Sequence, residues 1–570
     1  MSTQRPVDAN PSSLPEEGSR TGADHLVAAL QDLGVQTVFG LPGVHNLAVW
    51  EAAAAAGLRV VGVRHEQAAV YAADGYARAT GRLGVAVVTT GPGAANTLGA
   101  TGEAMASGAP VLVVATDIPS TLRRPGVYRG VLHETRDQAA MFAPVTKATV
   151  GTSDAADLYA DAVRAGSVAL RPATGPVYLG VPTDLLTAPA GRVERAPAPV
   201  APEDRVDGDE LARARELIAR AHRPLVWAGG GALRSGAGDL VGELARRLAA
   251  PVVTTFGGRG LLPPDHPCLV SGPAHVPAIG RLWDEADLVV SLGSDLDGTN
   301  TQNWTMPRPP ALLAINVDPA DAAKNYPADV TVAGDVAAVL GPLLDGLPQR
   351  EGLPALRETL DAVAADVRAL VRAEEPQAEQ LLDALDRVSG RTGVLLADMC
   401  VAGYWAAAFS RVPGPRRLAY ALGWGTLGYA FPAAMGAAAA GRSRALALVG
   451  DGGFLFACGE LATLAQEQLP VTTVIVDDGG YGMLRFDQVE SGVPPRGVDL
   501  VTPDFVALAR SFGVPARAVD GFGEEFASAL AESLDASGPD VLVVRAALTP
   551  PPSTSPRWYR RRPPASRSGG

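Results

Sequence analysis

Short apolar runs separated by helical stretches recur along most of the chain. The runs are rich in β-branched residues and carry few charges, which is typical of strands buried on both faces of a parallel sheet. Five of them fall between residues 22 and 188, at 35–39, 59–63, 84–90, 110–115 and 177–181. Because strands that alternate with helices form parallel sheets covered on both sides, this region is predicted to be a doubly wound α/β domain.

The same rhythm returns twice further along the chain. A central domain over residues 207–345 is predicted from the runs at 224–228, 251–255, 287–292 and 311–317. A third domain over residues 375–548 contains the runs at 445–449 and 471–476. The sequence therefore predicts an α/β protein of three doubly wound parallel-sheet domains, in which the outer two are similar in length and rhythm.

The segments outside these domains are rich in proline and polar residues. Residues 1–21 are predicted to be a disordered leader and residues 549–570 a flexible tail. Joints rich in proline separate the domains at 188–205 and 346–354.

Composition narrows the possible partners and the compartment. The 570 residues carry a net charge of −13, which disfavours nucleic acid and anionic membrane surfaces as partners. The uncharged stretch 418–440 contains Pro432 and several glycines, so we interpret it as tightly packed protein interior and not as a membrane span. The three cysteines lie far apart and show no metal or redox spacing, which favours a cytoplasmic protein with reduced thiols.

Two predicted strand ends in the third domain each carry a carboxylate beside glycines. Gly450-Asp451-Gly452-Gly453 follows the first run, and Asp477-Asp478-Gly479-Gly480-Tyr481 follows the second. Ligands of α/β sheets gather at the carboxyl ends of strands. Bare glycine amides suit phosphate oxygens, and carboxylates suit Mg²⁺. The pattern predicts a metal-diphosphate site, whereas the alternative, a glycine-rich turn with solvated acids, does not explain the paired spacing.

This segment resembles the signature of enzymes that depend on thiamine diphosphate. Their Gly-Asp-Gly is followed, at the spacing seen here, by an Asn pair, which this chain replaces with Asp477-Asp478. The resemblance implies that Asp451, Asp478 and the carbonyl of Gly480 bind Mg²⁺. It also implies that Gly450, Gly452, Gly453 and Tyr481 contact the cofactor.

A second group of motifs resembles the pyrimidine-binding domain of the acetolactate synthase branch of this family. It comprises Gly40-Leu41-Pro42-Gly43, Arg64-His65-Glu66-Gln67 and the segment 89–96. The resemblance implies that Pro42 and Gly43 line the cofactor and that Glu66 is the catalytic carboxylate, bonded to N1′ of the aminopyrimidine. That role needs a buried carboxyl, which the apolar run before Glu66 and the helix after it favour. The alternative is a helix N-terminal Glu that serves the helix dipole.

A third motif, 423–429, resembles the segment that bends thiamine. Leu427 would be the wedge beneath the two rings, and the Gly425 carbonyl would accept from the 4′-amino group; a plain glycine-rich helix entrance is the alternative. The segment 398–403 occupies the place of a Gly-Gln-His loop that lies at the diphosphate in the family. None of those side chains is retained, so only backbone contacts are expected there.

The resemblance covers residues 22–548 and implies the reaction. A 2-oxo acid would be decarboxylated and the resulting enamine ligated to a second carbonyl, as in the acetolactate synthases of branched-chain amino acid biosynthesis. A decarboxylase without ligation is the alternative, although no two histidines are adjacent as in pyruvate decarboxylases. A non-catalytic member is disfavoured because Glu66, Asp451 and an oxygen ligand at 478 are all present.

The substrate side departs most from the family. The Phe-Gln-Glu element of acetolactate synthases reads Leu132-His133-Glu134, and their lysine is replaced by Thr183. His133 is predicted either to take the polar role at the substrate or to be a structural histidine.

The resemblance also implies the partners. Each site in the family is shared between two subunits, which predicts a homodimer or homotetramer. Many acetolactate synthases bind FAD in the central domain, but Asp295 stands near the place of an arginine and Asp297 adds negative charge. The sequence therefore does not favour FAD, although Gly229–Gly231 could offer amides to some nucleotide. A Rossmann dehydrogenase is disfavoured because the spaced glycine fingerprint is missing.

Overall fold

The computed structural model describes residues 20–124, 126–193, 195, 206–441 and 443–552. Residues 1–19 of the predicted leader and 553–570 of the predicted tail lie outside the described residues, as does most of the 188–205 joint. Within the described chain, parallel sheets of six, five and six strands are covered by helices. The predicted α/β class with three parallel sheets is confirmed.

The first domain is built on a six-stranded sheet in the order β3-β2-β4-β5-β7-β6, with every pair parallel. A separate antiparallel pair, β1 with β8, joins its two ends. The strands are β1 Arg20–Thr21, β2 Thr37–Gly40, β3 Arg59–Gly62, β4 Gly84–Val88, β5 Val111–Asp117, β6 Ala148–Gly151, β7 Val177–Pro182 and β8 Pro189–Gly191. The helices are α1 Gly22–Asp32, α2 Leu47–Ala55, α3 Glu66–Thr80, α4 Pro92–Ala95, α5 Leu98–Ser107, α6 Gln138–Phe142, α7 Leu158–Leu170 and α8 Thr183–Thr187.

The central domain has a five-stranded parallel sheet in the order β10-β9-β11-β12-β13. Its strands are β9 Pro224–Ala228, β10 Val252–Thr254, β11 Leu288–Leu292, β12 Leu312–Asn316 and β13 Val330–Ala333. The helices around it are α9 Gly208–Arg220, α10 Gly230–Arg234, α11 Gly238–Leu248, α12 Pro277–Asp284, α13 Pro319–Ala323 and α14 Val336–Asp345.

A long helix that the sequence analysis did not predict, α15 Leu353–Glu374, follows the central sheet. Its apolar residues recur at helical spacing, and Leu360, Val363 and Val367 pack into the core of the central domain. Val371, one turn further on, belongs to the core of the third domain. The helix therefore connects the two cores.

The third domain has a six-stranded parallel sheet in the order β15-β14-β16-β17-β19-β18. Its strands are β14 Val394–Ala397, β15 Leu418–Tyr420, β16 Ala445–Gly450, β17 Val471–Asp477, β18 Ala516–Asp520 and β19 Asp540–Arg545. Its helices are α16 Pro376–Val388, α17 Val401–Phe409, α18 Ala430–Ala439, α19 Asp451–Leu455, α20 Leu461–Glu467, α21 Gly482–Glu490, α22 Phe505–Ser511 and α23 Glu524–Asp535.

The first and third domains meet through α3 and α18, whose backbones approach each other closely at two glycines. A methyl group on Gly75 of α3 would overlap the carbonyl of Ala433, and one on Gly436 of α18 would overlap the carbonyl of Ala72. Every residue of α18 is buried. The helical part of the stretch 418–440 is therefore interior, as predicted, whereas residues 423–425 are exposed. None of the described helices has the length and hydropathy needed to cross a membrane.

Candidate active site

Glu66 is the first residue of α3 and lies almost entirely inside the protein, with 8% of its surface exposed. Its Oε2 accepts a hydrogen bond from the Asn96 side-chain amide at 3.0 Å. A methyl group on Gly93 would lie 3.3 Å from Oε1, so this glycine leaves room beside the carboxylate. The predicted burial of Glu66 is therefore found, together with one hydrogen bond from its own domain.

The turn that carries Glu66 is held by the third domain. The buried carboxylate of Glu460 accepts hydrogen bonds from the backbone amides of Arg64, at 2.9 and 3.1 Å, and of His65, at 3.0 Å. Burial raises the pKa of Glu460, and these amides oppose the rise. The sequence analysis missed this residue, because nothing in its local pattern indicates a partner almost 400 residues away.

Asp451 begins α19 at the end of β16, and its side chain organises both strand ends. Its Oδ1 accepts from the amide of Gly452 at 2.6 Å and its Oδ2 from the amide of Gly480 at 2.8 Å. Burial raises the pKa of Asp451, and the nearby charge of Asp478 raises it further. The structure thus brings together the residues that the sequence predicted from two separate strand ends.

Asp478 follows β17 and has an unsatisfied oxygen. Its Oδ1 is buried without a hydrogen-bond partner among the described residues, and burial raises its pKa. Arg485 opposes that rise, but its guanidinium donates to the carbonyls of Asp478 and Gly479, at 3.2 and 3.0 Å. A methyl group on Gly482 would overlap Asp478 Oδ2, so a larger residue there would displace the carboxylate.

These residues fit a divalent cation with a diphosphate. A buried carboxylate beside a half-buried one that has an unpaired oxygen is an environment that a hard cation stabilises. No cluster of three or more His, Cys, Asp or Glu suited to a metal occurs in the described part of the chain, so further ligands would be backbone or diphosphate oxygens. Gly480 has a positive φ of 151°, a backbone conformation that residues other than glycine rarely adopt.

Asp398 has a structural role that the sequence analysis did not predict. Its buried carboxylate accepts from the amides of Met399 at 3.0 Å, Gly428 at 3.0 Å and Tyr429 at 3.4 Å. Burial raises its pKa to about 6. Because Gly428 and Tyr429 close the 423–429 motif, Asp398 anchors one end of that loop.

The other end of the loop is anchored from the first domain. Glu103 on α5 accepts from the amide of Trp424 at 3.3 Å. Glu103 is paired with Arg78, which also bridges to Asp74, and the hydroxyl of Tyr429 donates to Asp74 at 2.7 Å. Between the two anchors Gly425 has a φ of 78° and is exposed, whereas Leu427 is partly buried.

His133 lies beside the Gly91-Pro92-Gly93 turn, against a histidine that the sequence analysis did not single out. A methyl group on Gly91 would be 2.6 Å from the carbonyl of His133. The ring centroids of His133 and His45 are 5.2 Å apart, at an interplanar angle of 65°. The two histidines are 88 positions apart in the sequence, so no local pattern pairs them.

In the central domain, two of the glycine amides that could bind a nucleotide already donate hydrogen bonds within the protein. The amide of Gly229 donates to Leu292 and that of Gly231 to Gly293, each at 2.9 Å. Asp295 forms an ion pair with Lys324 at 2.8 Å, so its negative charge is partly compensated. The glycine amides therefore support nucleotide binding less strongly than the sequence indicated. Because the charge of Asp295 is partly compensated, it also disfavours FAD less strongly.

Models of one family match all three domains. They are described as the N-terminal TPP binding domain, the central domain and the C-terminal TPP binding domain of thiamine pyrophosphate enzymes, and they match residues 20–141, 211–343 and 398–544. The chain belongs to the thiamine pyrophosphate enzyme family. It is therefore a thiamine diphosphate-dependent enzyme, and the resemblance stated from the sequence is confirmed.

Curated members of the thiamine pyrophosphate enzyme family match most of the chain. A probable 2-ketoarginine decarboxylase of Pseudomonas aeruginosa is 37% identical over 87% of this chain and 89% of its own length. A probable acetolactate synthase large subunit of Methanocaldococcus jannaschii is 31% identical over 87% of both chains. The acetolactate synthase large subunit of Parasynechococcus marenigrum is 34% identical over 87% of this chain and 82% of its own.

Proposed function

We propose that this enzyme uses thiamine diphosphate and Mg²⁺ to remove CO₂ from a 2-oxo acid and to join the remaining carbon unit to a second carbonyl compound. The observation that carries the proposal is the pair of carboxylates at neighbouring strand ends, buried Asp451 and half-buried Asp478, whose pKa values are both raised. The similarity to several acetolactate synthases supports the ligation step.

The site residues take distinct roles in this proposal. Asp451, Asp478 and the Gly480 carbonyl would hold Mg²⁺, and Gly450, Gly452, Gly453 and Tyr481 would surround the diphosphate. Pro42, Gly43, Gly425 and Leu427 would contact the thiamine rings, and Glu66 would hold a proton at N1′ of the aminopyrimidine. When bound, thiamine diphosphate supplies the carbon nucleophile that attacks the 2-oxo carbonyl and accepts the electron pair released with CO₂.

A simple decarboxylase is a second candidate, and a specific observation favours it. His45 and His133 stand together near the turn beside Glu66, and imidazoles suit proton delivery to the carbon that loses CO₂. The relative named as a probable 2-ketoarginine decarboxylase supports the same candidate. An aldehyde would then replace the ligated product.

One assay separates the candidates. Purified enzyme is incubated with thiamine diphosphate, Mg²⁺ and a panel of 2-oxo acids that includes pyruvate, 2-oxobutyrate and 2-ketoarginine. CO₂, aldehyde and hydroxyketone are then measured separately. Hydroxyketone in amounts matching the CO₂ supports ligation, aldehyde in those amounts supports simple decarboxylation, and no CO₂ from any acid contradicts both.

We also propose that two subunits share each site. Apolar side chains near both parts of the candidate site are 49–72% exposed on the single chain, which is typical of an interaction surface. They are Val44, Leu47, Val127, Tyr128, Leu132, Trp424, Phe456 and Leu484.

Mixed subunits test the shared site. Glu66→Gln and Asp451→Ala subunits should each be inactive alone, but when dissociated and reassociated together they should recover about one quarter of wild-type activity, since half of the dimers are mixed and each has one intact site. Sites contained within one chain would recover nothing.

The absence of a bound flavin remains a prediction, and we propose that catalysis does not require FAD. Purified protein is expected to be colourless, with activity unchanged by added FAD. A yellow chromophore released in stoichiometric amount on denaturation would contradict this expectation.

A further inference from the structure

Two buried glutamates reach across the boundary between the first and third domains. Glu460 of the third domain is 1% exposed and accepts hydrogen bonds from the backbone amides of Arg64, at 2.9 and 3.1 Å, and of His65, at 3.0 Å. Glu103 of the first domain is 0% exposed and accepts from the amide of Trp424 at 3.3 Å. Each carboxylate therefore binds the backbone of the other domain, just before a segment that the sequence assigns to the cofactor.

The two contacts occupy equivalent places in the two domains. Counted within each domain and leaving β1 aside, Glu103 follows the third strand, β4, and Glu460 follows the third strand, β16. The loop that each glutamate binds follows the second strand of the other domain, β15 or β3. The crossing of α3 and α18 is reciprocal in the same way, since Gly75 meets the backbone of α18 and Gly436 that of α3. The two glutamates are therefore a matched pair that belongs to the way the domains are joined.

Glu460 is buried without a compensating cation. Its partners are the two amides and the hydroxyl of Thr463, at 2.7 Å, and it forms no ion pair with the described residues. The guanidinium of Arg64 instead donates to Gly62 and Gln466, at 2.8 Å each. Burying a carboxylate without a cation is unfavourable, and a neutral side chain of similar shape would join the domains more easily. The presence of an acid therefore favours a role beyond domain docking.

Glu460 fixes the backbone that leads into Glu66. His65 has an extended backbone, with φ −146° and ψ 138°, and is the N-cap of α3, so that Glu66 is the first residue of the helix. Among the described residues, Asn96 provides the one hydrogen bond to the Glu66 carboxylate. A side chain with so few polar contacts depends on its backbone for its position. The bonds from Arg64 and His65 to Glu460 therefore help to determine where the carboxylate of Glu66 lies.

Glu103 binds the loop 423–429 in a weaker version of the same contact. A methyl group on Gly102 would lie 2.9 Å from the indole of Trp424, so the loop packs directly on α5. Glu103 is also paired with Arg78 at 3.2 Å, and its single bond to the loop is long, at 3.3 Å. We therefore expect a smaller effect from Glu103 than from its counterpart in the third domain.

We propose that Glu460 is a positioning residue for Glu66 and that Glu103 positions the loop 423–429. The inference rests on the proposed role of Glu66 at N1′ of the aminopyrimidine. Neither glutamate is assigned a contact with the cofactor, because each acts through the backbone of the other domain. The cofactor-facing geometry of each domain therefore depends on its docking with the other.

Two variants test Glu460. Glu460→Gln keeps the shape of the side chain but can accept through one oxygen only. Glu467→Gln is the matched control, because Glu467 of α20 forms an ion pair at 3.8 Å with Arg59 at the start of β3. This pair joins the same two domains without contacting the residues before Glu66, so a role in docking alone would make the two variants alike. Thr463→Val, which removes the hydroxyl beside Glu460, replaces Glu460→Gln if that variant does not fold.

The first readout needs no cofactor. Amide hydrogen exchange of residues 63–67, measured by mass spectrometry, should be about tenfold faster in Glu460→Gln than in wild type, because the amides lose one acceptor oxygen. The control should match wild type. Equal exchange in Glu460→Gln and wild type would overturn the proposal at its first step.

The second readout follows the step that Glu66 is proposed to assist. The C2 hydrogen of bound thiamine diphosphate is exchanged with deuterium oxide, and cofactor affinity with Mg²⁺ is measured in parallel. Glu460→Gln should slow C2 exchange about tenfold, within the loss that a displaced catalytic group produces, and leave affinity within about threefold. The control should match wild type in both. Unchanged C2 exchange, or equal losses in Glu460→Gln and the control, would overturn the positioning role.

Glu103→Gln should act on cofactor affinity, because the loop 423–429 is predicted to contact the thiamine rings. We expect affinity to fall about fivefold, the scale of one lost hydrogen bond. Ser107→Ala is the control, since it removes a donor 2.7 Å from Glu103 and leaves the bond to Trp424 in place. Wild-type affinity in Glu103→Gln, or an equal loss in Ser107→Ala, would overturn the role of Glu103.

Glu66→Gln, measured alongside, separates this inference from the proposed function. If its C2 exchange is as fast as that of wild type, the proposed role of Glu66 fails, while amide exchange still tests the contact with Glu460. If C2 exchange is slow in Glu66→Gln and normal in Glu460→Gln, the positioning role alone fails.

Discussion

The first and third domains have the same sheet and carry different chemistry. Counted within each domain, and leaving β1 and β8 aside, both six-stranded sheets follow the order second, first, third, fourth, sixth, fifth. The central sheet shares the beginning of that order but has five strands. Two copies of one scaffold have thus been given different residues at equivalent strand ends.

The equivalent strand ends show how the roles are divided. After the second strand, the first domain places Glu66 at the start of α3, and the third domain places the 423–429 loop before α18. After the third strand come the Gly91 turn in the first domain and Asp451 in the third. At these two ends the first domain presents Glu66 and glycines, and the third domain presents the 423–429 loop and Asp451. After the fourth strand, Asp117 in the first domain stands opposite Asp477 and Asp478 in the third. The comparison teaches that function here depends on a few loop residues and not on the sheet.

The largest expected effect concerns the acids of the third domain. Asp451→Ala should abolish retention of thiamine diphosphate, because the metal loses a ligand and the amides of Gly452 and Gly480 lose their acceptor. Asp478→Asn, which keeps an oxygen ligand, should retain binding. Calorimetric titration of cofactor with Mg²⁺ measures both, and equal defects in the two variants would show that the ligand set is wrong.

The next effect concerns Glu66, the predicted catalytic acid of the first domain. Glu66→Gln keeps the shape of the side chain but cannot hold a negative charge opposite N1′. We expect cofactor binding within a fewfold of wild type and turnover lower by about 10²-fold or more. Steady-state rates on the best 2-oxo acid, with binding measured in parallel, check this. Near-normal turnover would remove Glu66 from the mechanism.

Folding also buries a carboxyl group, that of Asp398, at the end of the first strand of the third domain's sheet. The pKa of Asp398 is raised to about 6 from an ordinary value of 3.8, so between these pH values the folded protein binds more protons than the unfolded chain. The contribution of Asp398 to stability is therefore highest below pH 4 and falls as pH rises towards 6, by up to about 3 kcal/mol.

Asp398→Asn should remove this dependence. Chemical denaturation of wild type and variant between pH 4 and 7 measures it, with Asp361→Asn, an exposed carboxyl of α15, as the control. Parallel stability curves for wild type and Asp398→Asn would mean that Asp398 does not titrate in this window.

The smallest effect concerns the contact between the two scaffolds. Gly436→Ala should destabilise the protein by about 1–3 kcal/mol, because the added methyl group overlaps the carbonyl of Ala72 across the domain boundary. Gly341→Ala, in α14, meets nothing within 4 Å and should stabilise by up to about 1 kcal/mol. Thermal denaturation compares them, and a stabilising Gly436→Ala would mean that the helices can separate without cost.

Local patterns predicted the buried strands and the acids that follow them. The run at 224–228 coincides with β9, and Asp451 and Asp478 lie together as their spacing indicated. These features depend on strand periodicity and on the rule that parallel strands end at one edge. Three contacts were not predicted: the hydrogen bond from Gly428 to Asp398, the hydrogen bond from His65 to Glu460, and the ring contact between His45 and His133. They join distant parts of the chain, and no local pattern encodes which side chains the packing of two domains will bring together.

The crossing of α3 and α18 has a consequence for motion. Backbone meets backbone at Gly75 and Gly436, so no side-chain rotation can loosen the contact. Glu66 lies at the start of one helix, and the Gly425–Leu427 loop precedes the other. The two helices should therefore exchange their amide hydrogens as one cooperative unit, and opening of that unit would dismantle both sets of residues at once.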